Sequence, residues 1–139
     1  MLTKGLLIIL NVLIGIGALA GGVLALSPDA RLGVGISESM LVNSPFSTFL
    51  FPGLFLIIII GLGNLLTAWS SFTNQAEAAY YQCLMGLIQC LWIISQCIML
   101  LTITPLHFIF FIFGIVQLIG GVRLSKHLRA RFPFSAYQH

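Results

Sequence analysis

Between Gly5 and Leu26 the chain runs twenty-two residues without a charge, and Asn11 is the one amide among them. Comparable apolar runs cover 46–69, 80–101 and 106–124, with Arg123 the single charge, near the end of the last. A helix needs about 20 residues to cross roughly 30 Å of hydrocarbon, so each run is long enough to span a bilayer. A spanning segment must satisfy its own backbone hydrogen bonds, which selects helix for each. Composition removes the soluble alternative. Only 6% of the residues are charged and mean hydropathy is +1.10, against about 25% charged in soluble domains. The expected fold is all-α, a single antiparallel four-helix transmembrane bundle whose partner is the lipid bilayer.

The breaks between runs set the expected boundaries. Ser27-Pro28-Asp29 stops the first helix, because proline lacks a donor and restricts its predecessor. Residues 27–45 read as an outer loop. Asp29, Arg31, Gly33, Gly35 and Glu38 are its turn or solvent positions, and Ile36, Met40, Leu41 and Val42 make a short interfacial turn. Ser44-Pro45 has the chemistry of a helix start. The second helix is therefore expected from Phe46, bending at Pro52-Gly53, with Phe49 and Phe51 in the interface. Thr102–Pro105 is a tight turn, making an antiparallel hairpin of the last two helices. Residues 125–139 form a basic tail. The first run also mimics a signal peptide, with Lys4 before it and Ala18-Leu19-Ala20 as a cleavage-like site. Apolar sequence continues to Leu26, so a retained helix is expected. Gly17 and Gly21 have the spacing that lets helices approach closely, expected within the bundle, with dimerisation as the alternative.

Lys4, Arg123, Lys126, Arg129 and Arg131 gather at one end of such a bundle, and Arg31 alone lies at the other. Bases concentrate on the cytoplasmic side, so both termini are expected there. The tail reads as a headgroup anchor and not as a nucleic-acid surface.

Residues 82–102 repeat in sevens, each heptad opening on a Gln-Cys pair: Gln82-Cys83, Gln89-Cys90, Gln96-Cys97. Seven residues drift only about 20° around a helix, so the glutamines form one stripe beside the cysteines. An amide in lipid needs a partner, so the stripe is expected to face protein. Neighbouring cysteines are separated by about 10 Å of helical rise. They can neither bridge to one another nor share a metal ion, and read as small buried residues. Asn11, Asn64, Gln89 and Gln117 fall at similar depths on the four helices, a candidate polar seam. As glue, such amides contribute about 0.6 kcal/mol per contact. Otherwise they line a site for a lipid headgroup, a quinone or another amphiphile. A candidate ligand pocket combines Trp92, Gln96 and His107, with Ser44 and Phe46 above. His107 is either a ligand or a capped interfacial residue.

No acid lies in any apolar run, which argues against a carrier coupled to protons through an intramembrane carboxylate. The sequence has no nucleophile–base pair, phosphate loop, metal cluster or haem-attachment motif. Catalytic residues, metal ligands and cofactors are accordingly expected to be none.

Gly21-Gly22 with Pro28, Ser44-Pro45-Phe46, Pro52-Gly53-Leu54, Trp92-Ile93-x-x-Gln96 and Leu106-His107 followed by Gly114 occur in that order. Together they resemble a functionally uncharacterised family of small bacterial four-helix integral membrane proteins. The resemblance implies a bacterial cytoplasmic membrane and no activity, and of the Gln-Cys stripe it covers only Gln96. Three readings of function follow. The first is an accessory or structural protein, with a membrane-protein partner or a homo-oligomeric state. The second is an amphiphile-binding protein or cofactor-independent membrane enzyme, favoured by a loop packed over a closed pocket. The third is an oligomeric transporter or channel, favoured by glutamines facing lipid.

Overall fold

The structure, a computed structural model, describes all residues except Met1, Asn43, Asn74, Ala76, 101–103, 128–129, 132–134 and 137–139. Four helical spans, Lys4–Leu26, Leu50–Phe72, Ala78–Leu100 and Pro105–Lys126, are long and apolar enough to cross a membrane. They run alternately up and down as an all-α bundle. One end carries the start of the first span and the close of the last, and is called the terminal end. The other carries the connection between the first two spans and is called the loop end. The expected turn at Thr102–Pro105 falls largely outside the described residues, as does Arg129. Past the last span, Ala130–Arg131 pairs antiparallel with Ser135–Ala136.

The second span begins at Leu50 and not at Phe46. Ser44 does not cap a helix. Its hydroxyl bonds Leu41 O at 3.0 Å and receives Phe46 N–H at 3.1 Å, closing a local turn. Pro52 is the third residue of the helix Leu50–Phe55. The first N–H groups of a helix have no intrahelical partner, so proline there costs no bond. The irregularity lies further in, where Leu56–Leu62 is wound as a π-helix before Gly63–Phe72 resumes the α form. Phe51 is exposed, whereas Phe49 is buried.

The connection between the first two spans is more ordered than its composition suggests. Pro28–Gly33 is a short helix with proline at its start. Gly35 turns the chain at φ 79°, a conformation glycine adopts without penalty. Glu38–Leu41 forms the expected short turn, a 3-10 helix. Arg31 is not a solvent residue. It is 7% exposed, donates to Ala25 O and lies over the Phe49 ring at 5.0 Å. A base just past a helix C-terminus satisfies carbonyls that have no helical partner, and the ring face attracts its charge.

The spans pack as two tight hairpins. A Cβ on Gly22 would lie 2.8 Å from Gly53 O, and one on Gly15 would lie 3.1 Å from Gly61 O. First and second spans therefore touch backbone to backbone. Gly17 and Gly21 do not make this contact; their nearest neighbours are Phe110 and Leu56 side chains at 3.4 and 3.9 Å. In the other hairpin a Cβ on Gly86 would lie 2.7 Å from Gly114 O. Cys90 Sγ packs over Gly114 and Cys83 Sγ over Gly121, directed at Phe111 O and Leu118 O at 3.9 Å each. The cysteine heptad thus meets a glycine heptad running the opposite way. A core of Ile14, Ala18, Ile60, Trp92 and Ile93 joins the two hairpins.

Candidate functional site

Three of the four seam amides meet. Gln117 Nε2 donates to Asn11 Oδ1 at 2.5 Å and to Asn64 Oδ1 at 2.7 Å, and all three residues are 0% exposed. Asn64 Nδ2 turns back to Ile60 O at 2.8 Å, in the π segment. This clasp ties the first, second and fourth spans together. The third span is tied separately, where Gln82 Nε2 donates to Ser71 Oγ at 3.1 Å. Both attachments lie toward the terminal end. Gln89, the fourth seam residue, joins neither.

Toward the loop end the hairpins separate around a cavity of about 410 Å³. Its floor is Ile14, Ile60 and Gln89, with Asn11 and Asn64 one turn below the two isoleucines. Trp92, Ile93 and Gln96 line one side; Gly17, Ala18 and Gly21 line another. Leu56, Phe110 and His107 complete the walls, and Arg31, Ile36, Met40 and Leu41 of the folded loop cover the loop end. Gly17 and Gly21, bypassed in helix packing, keep the wall thin beside this space.

The candidate pocket residues divide. Trp92, Gln96 and His107 share the cavity. Ser44 and Phe46 lie outside its lining; Phe46 stacks instead on Phe51 at 5.9 Å. Trp92 is fixed by the Phe55 ring, stacked 4.5 Å away at 24°. His107 is the third residue of its helix, and its Nδ1 accepts Thr104 N–H at 3.1 Å while Thr104 O accepts His107 N–H at 3.0 Å. It occupies the place glutamate or glutamine takes in a capping box. That bond leaves Nε2 to carry the proton of the neutral ring.

Two polar atoms of the wall residues lack a hydrogen-bond partner among the described residues, Gln89 Oε1 and Trp92 Nε1. Each such buried group costs about 1–3 kcal/mol. Asn11 Nδ2, Gln82 Oε1 and Gln117 Oε1 share that condition in the clasps below. Among the described residues no three His, Cys, Asp or Glu side chains converge to hold a metal ion, and Cys83, Cys90 and Cys97 are free thiols.

Arg31 is the charged wall residue among those that sequence reasoning missed. The signal available was its position five residues past the end of the first helix, within reach of that helix's last carbonyls. No protein-family model, curated protein or solved structure matches the chain.

Proposed function

We propose that this protein binds an amphiphile in the cavity between its two hairpins, in a bacterial cytoplasmic membrane with both termini in the cytoplasm. The observation that carries the reading is the roofed cavity of about 410 Å³ containing Trp92, Gln96 and His107 together. Its size falls in the range of small-molecule sites, about 300–1,000 Å³, and its lining is the usual mixture of apolar walls and few polar groups. This geometry favours binding over a purely structural role, which needs no such space. It also disfavours a channel through the monomer. Gln82 and Gln89 are buried within the bundle, not turned to lipid, and Ile14, Ile60 and the amide clasp close the cavity toward the terminal end.

Native mass spectrometry after extraction in a mild detergent tests this. A stoichiometric small-molecule adduct is expected on the wild-type chain. It should disappear from Gly21→Leu, whose Cβ has room (3.9 Å to Leu56) and whose side chain fills the cavity. It should persist in Gly33→Leu, which has nothing within 4 Å of its Cβ and is not a wall residue. A bare protein, or an adduct indifferent to Gly21→Leu, overturns the proposal.

A further inference from the structure

The fold leaves two polar atoms over at the inner end of the cavity wall. Gln89 Oε1 and Trp92 Nε1 are buried without a hydrogen-bond partner among the described residues, and neither side chain bonds elsewhere in that set. The two residues are 2% and 8% exposed. Both line the cavity, three positions apart on the third span. Residues at that spacing are neighbours on one helix face. Their chemistry is complementary: an amide oxygen only accepts, and an indole N–H only donates. Folded proteins pair nearly all buried polar side-chain atoms, with protein or with an ordered small molecule. Trp92 is held where it is by the Phe55 ring, stacked 4.5 Å away. The wall at this depth is otherwise Ile14, Ile60 and Ile93, while Gln96 and His107 stand toward the loop end.

Resting on the amphiphile-binding reading, we infer that the ligand is a neutral amphiphile ending in a hydroxyl, which sits between Gln89 and Trp92 with its apolar body directed to the loop end. A hydroxyl is the smallest group that donates and accepts through one atom. It gives its proton to Gln89 Oε1 and receives the Trp92 N–H. An ether, ester or ketone oxygen satisfies the indole and leaves Gln89 Oε1 unpaired. A carboxylate does the same, and also brings a charge among three isoleucines, where desolvation opposes it. An ammonium group reaches Gln89, leaves the indole unpaired and carries the same desolvation cost. Beyond the hydroxyl the wall is hydrocarbon and ring carbon from Leu56, Met99, Leu100 and Phe110. From Gln89 to Leu100 the lining runs about 16 Å along the third span, at 1.5 Å rise per residue, so the space suits a body elongated parallel to the helices. Two lipid classes present such a hydroxyl, an acyl-chain alcohol and a reduced quinone ring, and they share this donor–acceptor oxygen.

Trp92 also supplies the reporter. Exposed Trp69 is the other tryptophan, so Trp69→Phe leaves Trp92 as the single indole. Long-chain alcohols brominated beside the hydroxyl or at the far end of the chain, their methyl ethers, and alkyl hydroquinones brominated on the ring would be titrated into this protein in mild detergent while its fluorescence is followed. Saturable quenching by the alcohols is expected, strongest for the bromine beside the hydroxyl. The ethers, which cannot donate, should bind about tenfold more weakly. Gln89→Leu should weaken the alcohols by about the same factor and leave the ethers unchanged. Unchanged ether quenching also shows that the Gln89→Leu variant keeps its cavity. Hydroquinones that bind more tightly than the alcohols, with the same sensitivity to Gln89→Leu, assign a quinol; the opposite order assigns an acyl-chain alcohol. Alcohols and ethers binding alike, or alcohols indifferent to Gln89→Leu, overturns the hydroxyl seat but leaves the binding function standing. Stronger quenching from the far end of the chain overturns the orientation. No saturable quenching by any of the probes overturns this inference and the proposed function together.

Discussion

At the scale of single residues, Gln117 and Gln82 separate what the chain's amides do. Gln117 makes two buried bonds through one nitrogen; Gln82 makes one, to Ser71. Intramembrane side-chain bonds contribute about 0.6 kcal/mol each on average. Gln117→Leu is therefore expected to cost about 1–2 kcal/mol, and Gln82→Leu about half of that. Unfolding in mixed micelles with increasing denaturing detergent measures both. Equal losses would show that the clasp is not a shared unit. That Asn11, Asn64 and Gln117 belong together was legible in their matching depths, since depth depends only on counting from the ends of an apolar run. Gln89 shares that depth but not the bonds. Depth says nothing of the direction a side chain takes around its helix, and that direction leaves Gln89 at the cavity floor.

At the scale of elements, the hairpins are built on backbone approach. Gly86→Ala would place a methyl 2.7 Å from Gly114 O and 2.8 Å from Leu118 N, both backbone atoms that cannot step aside singly. Overpacking of this sort costs about 1–3 kcal/mol. Gly5→Ala, with nothing within 4 Å, should be neutral or slightly stabilising, because alanine favours helix by about 1 kcal/mol. The same unfolding assay compares them, and a Gly86→Ala variant as stable as Gly5→Ala would sink the tight-hairpin account. The sequence pattern Gly17–Gly21 pointed at the wrong pair. Glycine spacing marks a thin face, but Gly15 and Gly22 lie on the face that meets the second span. The π segment compounds the difficulty. An i→i+5 winding shifts the rotational phase of everything after it, so Asn64 and Thr67 do not point where a regular helix from Leu50 would send them.

At the scale of the whole molecule, two hairpins are joined near the terminal end and held apart near the loop end, beneath a loop pinned by Arg31. Cytoplasmic termini are proposed from the bases gathered at the terminal end of the sequence-expected bundle. A membrane-impermeant thiol reagent applied to intact spheroplasts should label Ser47→Cys, an exposed loop-end position, and spare Lys126→Cys until the membrane is opened. The reverse pattern would invert the topology and place the Arg31 end of the cavity in the cytoplasm.

Sequence by itself determined the four spans, their alternation and the need for internal amide partners. Each follows from local quantities: the length of an apolar run, the cost of an unsatisfied backbone in lipid, the cost of a lone amide there. Only the tertiary structure decided that Arg31 is buried, that Ser44 and Phe46 stand outside the cavity, and that the Gln-Cys stripe serves several ends. Cys83 and Cys90 seat on glycines, Gln82 anchors Ser71, and Gln89 and Gln96 line the cavity. Those outcomes depend on the azimuth of each helix against its neighbours. That azimuth is set jointly by backbone contacts between glycines far apart in the chain and by one turn of π-helix, and no local stretch contains it.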